Sequence, residues 1–398
     1  MREMTSSNSA DNMTWDTVCA NKFCASVTDG THDSPKPQKF GKKLITSKHL
    51  MGDYIDFDSA NWISENDYKK IISRSIVEQW DVLFSMIGTI GNIYIEKNPV
   101  VKYACKNMGI FKFAGNKENA YWMYYYLQSP QAKEYFQSHL RGSTQSYVPL
   151  CSLREMPVPI PDKKTRNGIV SLLRSLDEKI ATNREINENL QQQAAALFSS
   201  LYDRSNTEVR FTDLIQILGG GTPKTGENTY WNGNIAFFTP KDVGTPYTLI
   251  TEKTISKEGL SHCNSRLYPV NTVFVTARGT VGKVGMSGVP MAMNQSCYAL
   301  VGKETHQLLV YFYTLKAVDR LKHKASGAVF DAITTRDFES EQIMKLSDDD
   351  ATAFLRVAEP MFQEVLNSNI ENLRLSTLRD SLLPKLMSGE IDVSAVQL

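Results

Sequence analysis

Two segments of the chain carry apolar residues at alternating spacings of four and three, the pattern that forms the seam of a coiled coil. In the first segment the seam positions are Ile169, Leu173, Leu176, Ile180, Asn183, Asn187, Leu190, Ala194, Leu197 and Leu201. In the second segment they are Phe354, Ala358, Met361, Val365, Ser368, Asn372, Leu375, Arg379, Leu382 and Leu386. Both seams are polar in the middle. The pattern therefore predicts two long helices built in the same way.

We expect these two helices to pack against each other in antiparallel orientation, because that arrangement needs no long crossover. The central polar positions then face each other, Asn183 with Asn372 and Asn187 with Ser368. A buried polar layer costs stability but fixes the register of a helix pair. Arg379 falls opposite an apolar position, so its guanidinium is expected to reach the solvent at the edge. The alternative is that each helix packs on its own domain.

The composition is that of an ordinary globular protein, with 41% hydrophobic and 22% charged residues among 398. Residues 1–12 are polar and are expected to form a loose tail, and no apolar run is long enough to span a membrane. The six cysteines form no Cys-x-x-Cys pair and have no histidine at a zinc-ligand spacing, which favours reduced thiols in a cytoplasmic protein. A net charge of +1 is low for a nucleic-acid binder, so any basic surface must be local.

The regions that precede the two helices repeat one order of short patterns. Residues 14–161 contain a glycine-containing polar turn, a strand-like stretch, and then two strands joined by a Gly-x-x-Gly turn at 88–91. In residues 208–346 the same order is carried by 219–224, 238–241 and 271–284. The chain is therefore expected to be two tandem copies of one unit, each a domain followed by a helix.

These patterns resemble those of the specificity subunit of type I restriction–modification systems, over nearly the whole chain. The most specific motifs are Gly-Gly-Thr-Pro-Lys near 220, Phe-Thr-Pro-Lys-Asp-Val near 240, Arg-Gly-Thr-Val-Gly near 280 and Leu-Arg-Asp-Ser-Leu-Leu-Pro-Lys-Leu-Met-Ser-Gly-Glu-Ile at 378–391. The first domain departs from this pattern, since Ile87 stands where the second domain has Arg278.

Pattern and resemblance together predict an α+β fold with a pseudo-two-fold repeat, in which two target-recognition domains of mixed β-sheet and helices are separated by a pair of long antiparallel coiled-coil helices. The predicted boundaries are an N-terminal tail at 1–13, target-recognition domain 1 at 14–161, spacer helix 1 at 162–207, target-recognition domain 2 at 208–346, and spacer helix 2 with a C-terminal tail at 347–398.

The resemblance implies a subunit that recognises double-stranded DNA without catalysing a reaction. Each domain would read one half of a split, asymmetric target, and the seam from 169 to 201, roughly 50 Å long at about 1.5 Å per residue, would set the spacing. The helix pair would dock two methyltransferase subunits, which use S-adenosylmethionine to methylate adenine. Restriction subunits would use ATP and Mg²⁺ to translocate and cut DNA. No cofactor is expected in this chain.

The candidate DNA-binding residues lie in the polar loops, where glycine turns let the backbone approach phosphate and Lys, Arg or Gln contact phosphates and base edges. In the first domain they are Thr31, His32, Lys48, Thr89, Asn92 and Gln145, and in the second Thr222, Lys224, Lys241, Arg278, Thr280, Lys283 and Arg336. The aromatic residues at 121–126 are another candidate for stacking on bases, but a helix face packed in a core is the favoured interpretation.

The sequence contains no convincing enzymatic motif. Gly279-Thr280-Val281-Gly282-Lys283 is too short for a phosphate-binding loop, and the chain has no Pro-Pro of an amino-methyltransferase motif. A nuclease-like Asp177-Glu178-Lys179 lies on the first long helix, off the seam, where it is expected in solvent. Two other functions stay open, a stand-alone DNA-binding or architectural protein and a coiled-coil scaffold that does not contact DNA.

Overall fold

The computed structural model describes residues 15–244, 246–324 and 332–393. The predicted tail at 1–13 lies outside these residues. The described residues form two compact units. The first unit joins the chain up to Glu178 with the chain from Leu375 onward, and the second is formed by Lys179–Arg374.

The first unit is built from short strands and helices, numbered here in chain order. Its strands are β1 (Asp16–Cys19), β2 (Ser26–Asp29), β3 (Lys42–Ile45), β4 (Asn61–Ile63), β5 (Val82–Ser85), β6 (Ile93–Ile95), β7 (Tyr103–Cys105), β8 (Met108–Lys112) and β9 (Pro157–Ile160). Its helices are α1 (Ala20–Phe23), α2 (Glu65–Ser75), α3 (Lys117–Tyr126), α4 (Pro130–Ser138), α5 (Leu150–Glu155) and the first part of α6 (Lys163–Arg204).

The strands of the first unit form an antiparallel sheet β2–β8–β5–β6, a sheet β4–β3–β7 and a pair β1–β9. In the second of these sheets β3 runs parallel to β7 and antiparallel to β4. All four residues of β5 are buried because both faces of that strand are covered. The aromatic residues of α3 are buried in the same core, which confirms the interpretation of 121–126 as a packed helix face.

The second unit repeats this construction. Its strands are β10 (Thr207–Arg210), β11 (Ile215–Gly219), β12 (Trp231–Phe238), β13 (Tyr247–Thr248), β14 (Lys253–Ile255), β15 (Val273–Thr276), β16 (Val284–Ser287), β17 (Met291–Met293), β18 (Cys297–Gly302) and β19 (Gln342–Lys345). Its helices are α7 (Phe211–Leu214), α8 (Lys257–Ser261), α9 (Gln307–Lys324), α10 (Thr335–Glu339) and most of α11 (Asp348–Met387), together with the rest of α6.

The sheet order of the second unit matches that of the first, with one strand added. The sheet β11–β18–β15–β16 corresponds to β2–β8–β5–β6 and gains β13 at its edge, while β14–β12–β17 corresponds to β4–β3–β7. The pair β10–β19 corresponds to β1–β9. The prediction of two tandem α+β copies of one unit is therefore confirmed. The residue-by-residue domain boundaries drawn from the sequence stay a prediction.

The two long helices pack antiparallel within each unit, as the seams predict. In the second unit the amide of Asn183 donates to Asn372 Oδ1 at 2.9 Å, and it also donates to Glu371 Oε2 at 2.7 Å. In the first unit the seam residues Ile169 and Leu173 of α6 lie in one buried cluster with Leu386 of α11.

Asn187 and Ser368 are both buried, as a polar layer requires, but the amide of Asn187 donates to the neighbouring Asn369 at 3.0 Å and Ser368 donates to Glu364 at 3.3 Å. Two expectations about the helix pair need correction. Arg379 does not reach free solvent, because its guanidinium donates to Asp177 Oδ1 at 2.7 Å. For the same reason Asp177 is half-buried rather than solvated.

Candidate functional site

Most of the predicted site residues of the second unit lie in loops that meet at one end of its sheets, named here the second loop cluster. The cluster consists of residues 220–224, 239–244, 277–283, 294–296 and 332–336. Backbone hydrogen bonds join these loops, including Ala277 N–H to Ser296 O at 2.8 Å and Ile333 N–H to Ala277 O at 2.9 Å. Thr280 Oγ1 also donates to the carbonyl of Pro240 at 3.2 Å. The described loops that carry the candidate residues therefore lie side by side.

The turn from β15 to β16 is closed by a buried hydroxyl. Thr276 Oγ1 accepts the N–H of Lys283 at 2.9 Å and donates to the carbonyl of Thr280. Gly279 and Gly282 have φ of 85° and 74°, values that favour glycine. Because Thr280 and Lys283 are both exposed, this closed turn presents them to solvent in a fixed geometry.

The second loop cluster is basic. Five of the predicted residues in it are exposed cations, Lys224, Lys241, Arg278, Lys283 and Arg336. One of them, Lys241, lies 3.5 Å from Glu252, and both side chains of this pair are mostly exposed. Exposed pairs of this kind are weak, so the lysine remains available to an anion.

The first unit places its candidate residues in the corresponding loops, named here the first loop cluster. This cluster consists of residues 30–33, 46–50, 86–92, 106–107 and 141–147. Met86 N–H donates to Asn107 O at 3.3 Å, and Val148 N–H donates to Met86 O at 3.0 Å, as in the second unit. The exposed candidates here are His32, Lys48, Thr89 and Gln145. Only one of these is a lysine, so this cluster is less basic at the predicted positions.

The turn from β5 to β6 uses the same hydroxyl closure. Ser85 Oγ accepts the N–H of Asn92 at 2.8 Å and donates to the carbonyl of Thr89. The amide of Asn92 donates to the carbonyls of Ser47 at 3.3 Å and Leu50 at 3.0 Å. Asn92 therefore joins two loops of the cluster, and its direct contact with DNA stays a prediction.

Each cluster also holds one short turn capped at its start. Thr46 N–H donates to His49 Nδ1 at 2.9 Å, and Lys48 lies within this turn. At the same place in the second unit, Thr239 N–H donates to Asp242 Oδ2 at 2.8 Å. Burial, followed by the charge of Lys48, lowers the pKa of His49 below its ordinary value. The neutral imidazole is the form that accepts the Thr46 N–H.

Matching side-chain pairs stand beside these turns. In the first unit His32 contacts Asn107 Oδ1 through Nδ1 at 3.0 Å and Asp29 through Nε2 at 2.8 Å. In the second unit Thr222 donates to Gln295 Oε1. The residue that precedes His32, Thr31, is buried and accepts a backbone N–H, so it lies beneath the surface of the cluster.

Asn107, Gln295 and Lys322 were not among the residues predicted from the sequence. The first two were missed because each becomes part of its cluster only when a distant loop pairs with it. Lys322 lies on α9, and its Cε would be 2.6 Å from a Cβ added at Gly282. Its exposed ammonium adds one more cation beside the turn. The sequence did not predict this, because Lys322 lies on a helix that is distant from the turn along the chain.

The described residues hold no group of three or more His, Cys, Asp or Glu side chains arranged to bind a metal ion. The six cysteines are free thiols, and burial raises the pKa of the Cys297 thiol to about 12. Within the described parts of the chain, every helix is too short or too polar to cross a bilayer.

Comparison with known proteins gives consistent matches along the chain. A family model described as "Type I restriction modification DNA specificity domain" matches residues 37–192 and 204–345. The chain is 23% identical over 409 residues to the type I restriction enzyme HindI specificity subunit of Haemophilus influenzae, covering 80% of this chain and 88% of that protein. It is 28% identical over 211 residues to the EcoR124I/EcoR124II specificity subunit of Escherichia coli, covering 50% of this chain and 51% of that protein.

The fold also has a counterpart among solved structures. The S subunit of a type I restriction–modification system from M. genitalium superposes with a TM-score of 0.58 at 12% identity, covering 96% of this chain and 98% of that one. At this identity the likeness concerns the fold alone. It agrees with the tandem repeat of the two units.

Proposed function

Because this chain belongs to the type I restriction–modification DNA specificity family, we propose that it is the DNA-recognition subunit of such a complex. Each loop cluster reads one half of a bipartite target in double-stranded DNA. The chain itself catalyses no step. The alternatives, a stand-alone DNA-binding protein and a scaffold that does not contact DNA, are disfavoured by family membership.

The observation that carries this proposal is the set of exposed cations in the second loop cluster. A chain with a net charge of only +1 concentrates Lys224, Lys241, Arg278, Lys283 and Arg336 on one surface. Lysine and arginine neutralise phosphates, and arginine also donates two hydrogen bonds to a guanine edge. Arg278 lies on the closed turn, so its backbone is held in place for such a contact.

The two half-sites differ in sequence, because the two clusters present different side chains at matching places. Ile87 stands at the position of Arg278, and His32 stands at the position of Thr222. An apolar residue cannot form the paired hydrogen bonds that arginine offers to guanine. The target is therefore asymmetric.

The helix pair α6–α11 connects the units and docks two methyltransferase subunits, and restriction subunits complete the complex. The methyltransferase subunits use S-adenosylmethionine, and the restriction subunits use ATP and Mg²⁺. This chain contributes recognition and docking only. Its place is the cytoplasm, where the DNA substrate and the partners are.

The direct test measures the affinity of the purified chain for duplex DNA, with and without methyltransferase subunits, across a series of salt concentrations. Affinity that falls steeply with salt supports phosphate contacts and excludes the scaffold. A gain in sequence specificity on adding the methyltransferase supports the complex over a stand-alone binder. Mapping the methylated adenines in the host genome supplies the target sequence for the assay.

Two substitutions sharpen this test. Arg278→Ala should weaken binding to the target by about 5- to 150-fold, corresponding to about 1–3 kcal/mol for a paired contact with a base. Lys303→Ala is the matched control, since Lys303 is an exposed lysine just beyond β18, at the end away from the second loop cluster. Equal losses in the two variants would count against the cluster as the DNA-binding surface.

A further inference from the structure

The first unit contains a pocket of about 720 Å³ beside the sheet β4–β3–β7. The strands β3 and β7 run parallel, and their carboxyl ends lead into the first loop cluster. The pocket is lined instead by residues at their amino ends, 41–43 and 100–103. It is therefore separate from the surface proposed to read DNA.

One row of side chains across the sheet forms a wall of this pocket. Lys43 lies directly opposite Trp62 on β4 and Tyr103 on β7, so the three side chains project from the same face. The Lys43 ammonium stands 4.1 Å from the centroid of the Trp62 ring and donates to the carbonyl of Ala60 at 2.8 Å. Phe57 packs on Tyr103 with ring centroids 5.6 Å apart.

Two of the aromatic side chains in the pocket are open to solvent. Trp62 is 39% exposed and Phe57 is 42% exposed, whereas Tyr103 is 4% exposed. Large aromatic surfaces exposed next to charged groups mark binding sites more often than chance. The free ring surface is therefore available to a planar ligand.

A buried carboxyl group lies behind the aromatic wall of the pocket. Glu96 is only 2% exposed and accepts the Asn98 N–H at 2.7 Å through Oε1. Its Oε2 accepts the Tyr103 hydroxyl at 2.6 Å. Both carboxyl oxygens are therefore engaged within the unit, and they hold the Tyr103 ring and the turn at 96–98 in place behind the aromatic wall.

The second unit provides an internal comparison. The row Trp62–Lys43–Tyr103 corresponds to Thr254–Ala236–Met291 on β14, β12 and β17. A pocket of about 490 Å³ lies there too, but its lining contains neither an aromatic nor a charged residue. The fold therefore does not require the aromatic and charged lining seen in the first unit.

We propose that the pocket of the first unit binds a purine nucleotide. Three lysines, Lys42, Lys43 and Lys102, line the pocket. The carboxylates in the lining are the exposed Asp58 and the buried Glu96, so the lining has a net positive charge and favours an anionic ligand. A flat base stacks on Trp62 and Phe57, and its phosphate is attracted by the lysines.

Two sources offer this chemistry, a free mononucleotide and an unstacked nucleotide in a single DNA strand. The full chain is titrated by calorimetry with dGMP, dAMP, inorganic phosphate, and a thymine oligonucleotide that contains one guanine. Saturable binding of dGMP, dAMP or the oligonucleotide, tighter than that of inorganic phosphate, is expected. Whichever of the two binds more tightly identifies the source.

Trp62→Ala should weaken binding of the preferred ligand by at least about tenfold, the usual effect of removing one stacking partner. Tyr54→Ala is the matched control, because Tyr54 is 57% exposed but does not line the pocket. Phe57→Leu gives a second test if Trp62→Ala does not fold. Binding of target duplex through the loop clusters should be unchanged by Trp62→Ala.

Three results would overturn the proposal. The first is the absence of saturable binding of dGMP and of the oligonucleotide at millimolar concentration. The second is binding that Trp62→Ala and Phe57→Leu leave unchanged in folded protein. The third is inorganic phosphate binding as tightly as dGMP, which would show that the base contributes nothing.

Discussion

Arg379 of α11 and Asp177 of α6 form an ion pair within the first unit, with Nη1 2.7 Å from Oδ1. The other carboxylate oxygen of Asp177 accepts the hydroxyl of Tyr125 at 2.8 Å. Burial disfavours the charged guanidinium, but the hydrogen bonds and charges of Asp177 and Asp380 raise the pKa of Arg379 above its ordinary value. The pair therefore links α6, α11 and the aromatic helix α3 through one half-buried carboxylate.

We expect Arg379→Met to lower the free energy of unfolding of the first unit by about 1–3 kcal/mol, because it leaves Asp177 half-buried without its charge partner. Thermal unfolding followed by calorimetry measures this loss. Asp380→Asn is the control, since Asp380 bonds the same guanidinium but is 66% exposed. An equal loss of stability in Asp380→Asn would show that the burial of Asp177 does not make its ion pair more important than the exposed one.

The heptad pattern predicted α6 and α11 well because helix periodicity is a local property of the sequence. It did not predict the pair Asp177–Arg379. Asp177 lies beside the seam, and its orientation is set by Tyr125, which comes from a helix far away in sequence. The same reason explains the partner of Asn187, since a shift of one residue along α11 selects Asn369 over Ser368.

Protonation of His49 should destabilise the first unit. Burial and then the charge of Lys48 lower the pKa of His49 in the folded chain, opposed by Asp56 and assisted by Lys43. The unfolded chain therefore binds this proton more readily. The stabilisation is fully present above the ordinary pKa of 6.5 and is lost as pH falls through the folded pKa.

The measurement is the unfolding temperature of the first unit from pH 8 to about pH 5, compared between the native chain and His49→Asn. The asparagine carbonyl can accept the Thr46 N–H and does not titrate. We expect the variant to lose less stability than the native chain below about pH 6.5. Parallel curves for the two proteins would contradict the assignment to His49.

Thr276→Val should open the turn that presents Thr280 and Lys283. The valine keeps the shape of the side chain but leaves the Lys283 N–H and the Thr280 carbonyl without their buried partner. We expect a loss of about 1–3 kcal/mol in stability and weaker binding of target DNA. Unfolding and DNA-binding measurements on the same samples check both effects.

Thr314→Val is the matched control for this prediction. Thr314 is equally buried, but its hydroxyl donates only to the carbonyl of Val310 four residues earlier in α9. That carbonyl already belongs to the helix, so its loss should cost less. A fall in DNA affinity of the same size in Thr314→Val would indicate general destabilisation rather than a role of the turn.

The candidate site was predictable where a motif carried its own turn, and not where distant segments meet. The two glycines Gly279 and Gly282 predicted the closed turn, because positive φ values favour glycine. Asn107 and the row Lys43–Trp62–Tyr103 depend on the pairing of strands far apart in sequence, one pair of them parallel. No local pattern encodes that pairing.

Leucine at both Asn183 and Asn372 should raise the unfolding temperature and loosen the register of the helix pair. Asn183 is 2% exposed, and its amide donates hydrogen bonds to both Asn372 and Glu371. Replacing a buried polar layer with apolar side chains raises stability but removes the contacts that fix the register. Cysteine pairs placed at 187 and 369, or at 187 and 362, report the native register and a shift of one heptad. Cross-linking at only the native pair in the double leucine variant would refute the role given to the asparagines.

The spacing between the two DNA half-sites should depend on the length of the helix pair. One heptad is inserted into α6 after Glu178 and one into α11 after Arg374, the two points at which the compact units divide. Seven residues lengthen a helix by about 10 Å, which corresponds to roughly three base pairs of DNA. Inserting into both helices together keeps their seams in register, whereas inserting into α6 alone, the control, misaligns them and should reduce stability.

Selection of bound duplexes from a library with randomised spacers measures the preferred spacer length. We expect the double insertion to favour a spacer longer by about three base pairs, with both half-sites unchanged, because the loop clusters are untouched. An unchanged spacer in a folded, DNA-binding variant would mean that the helix pair does not set the distance between the half-sites.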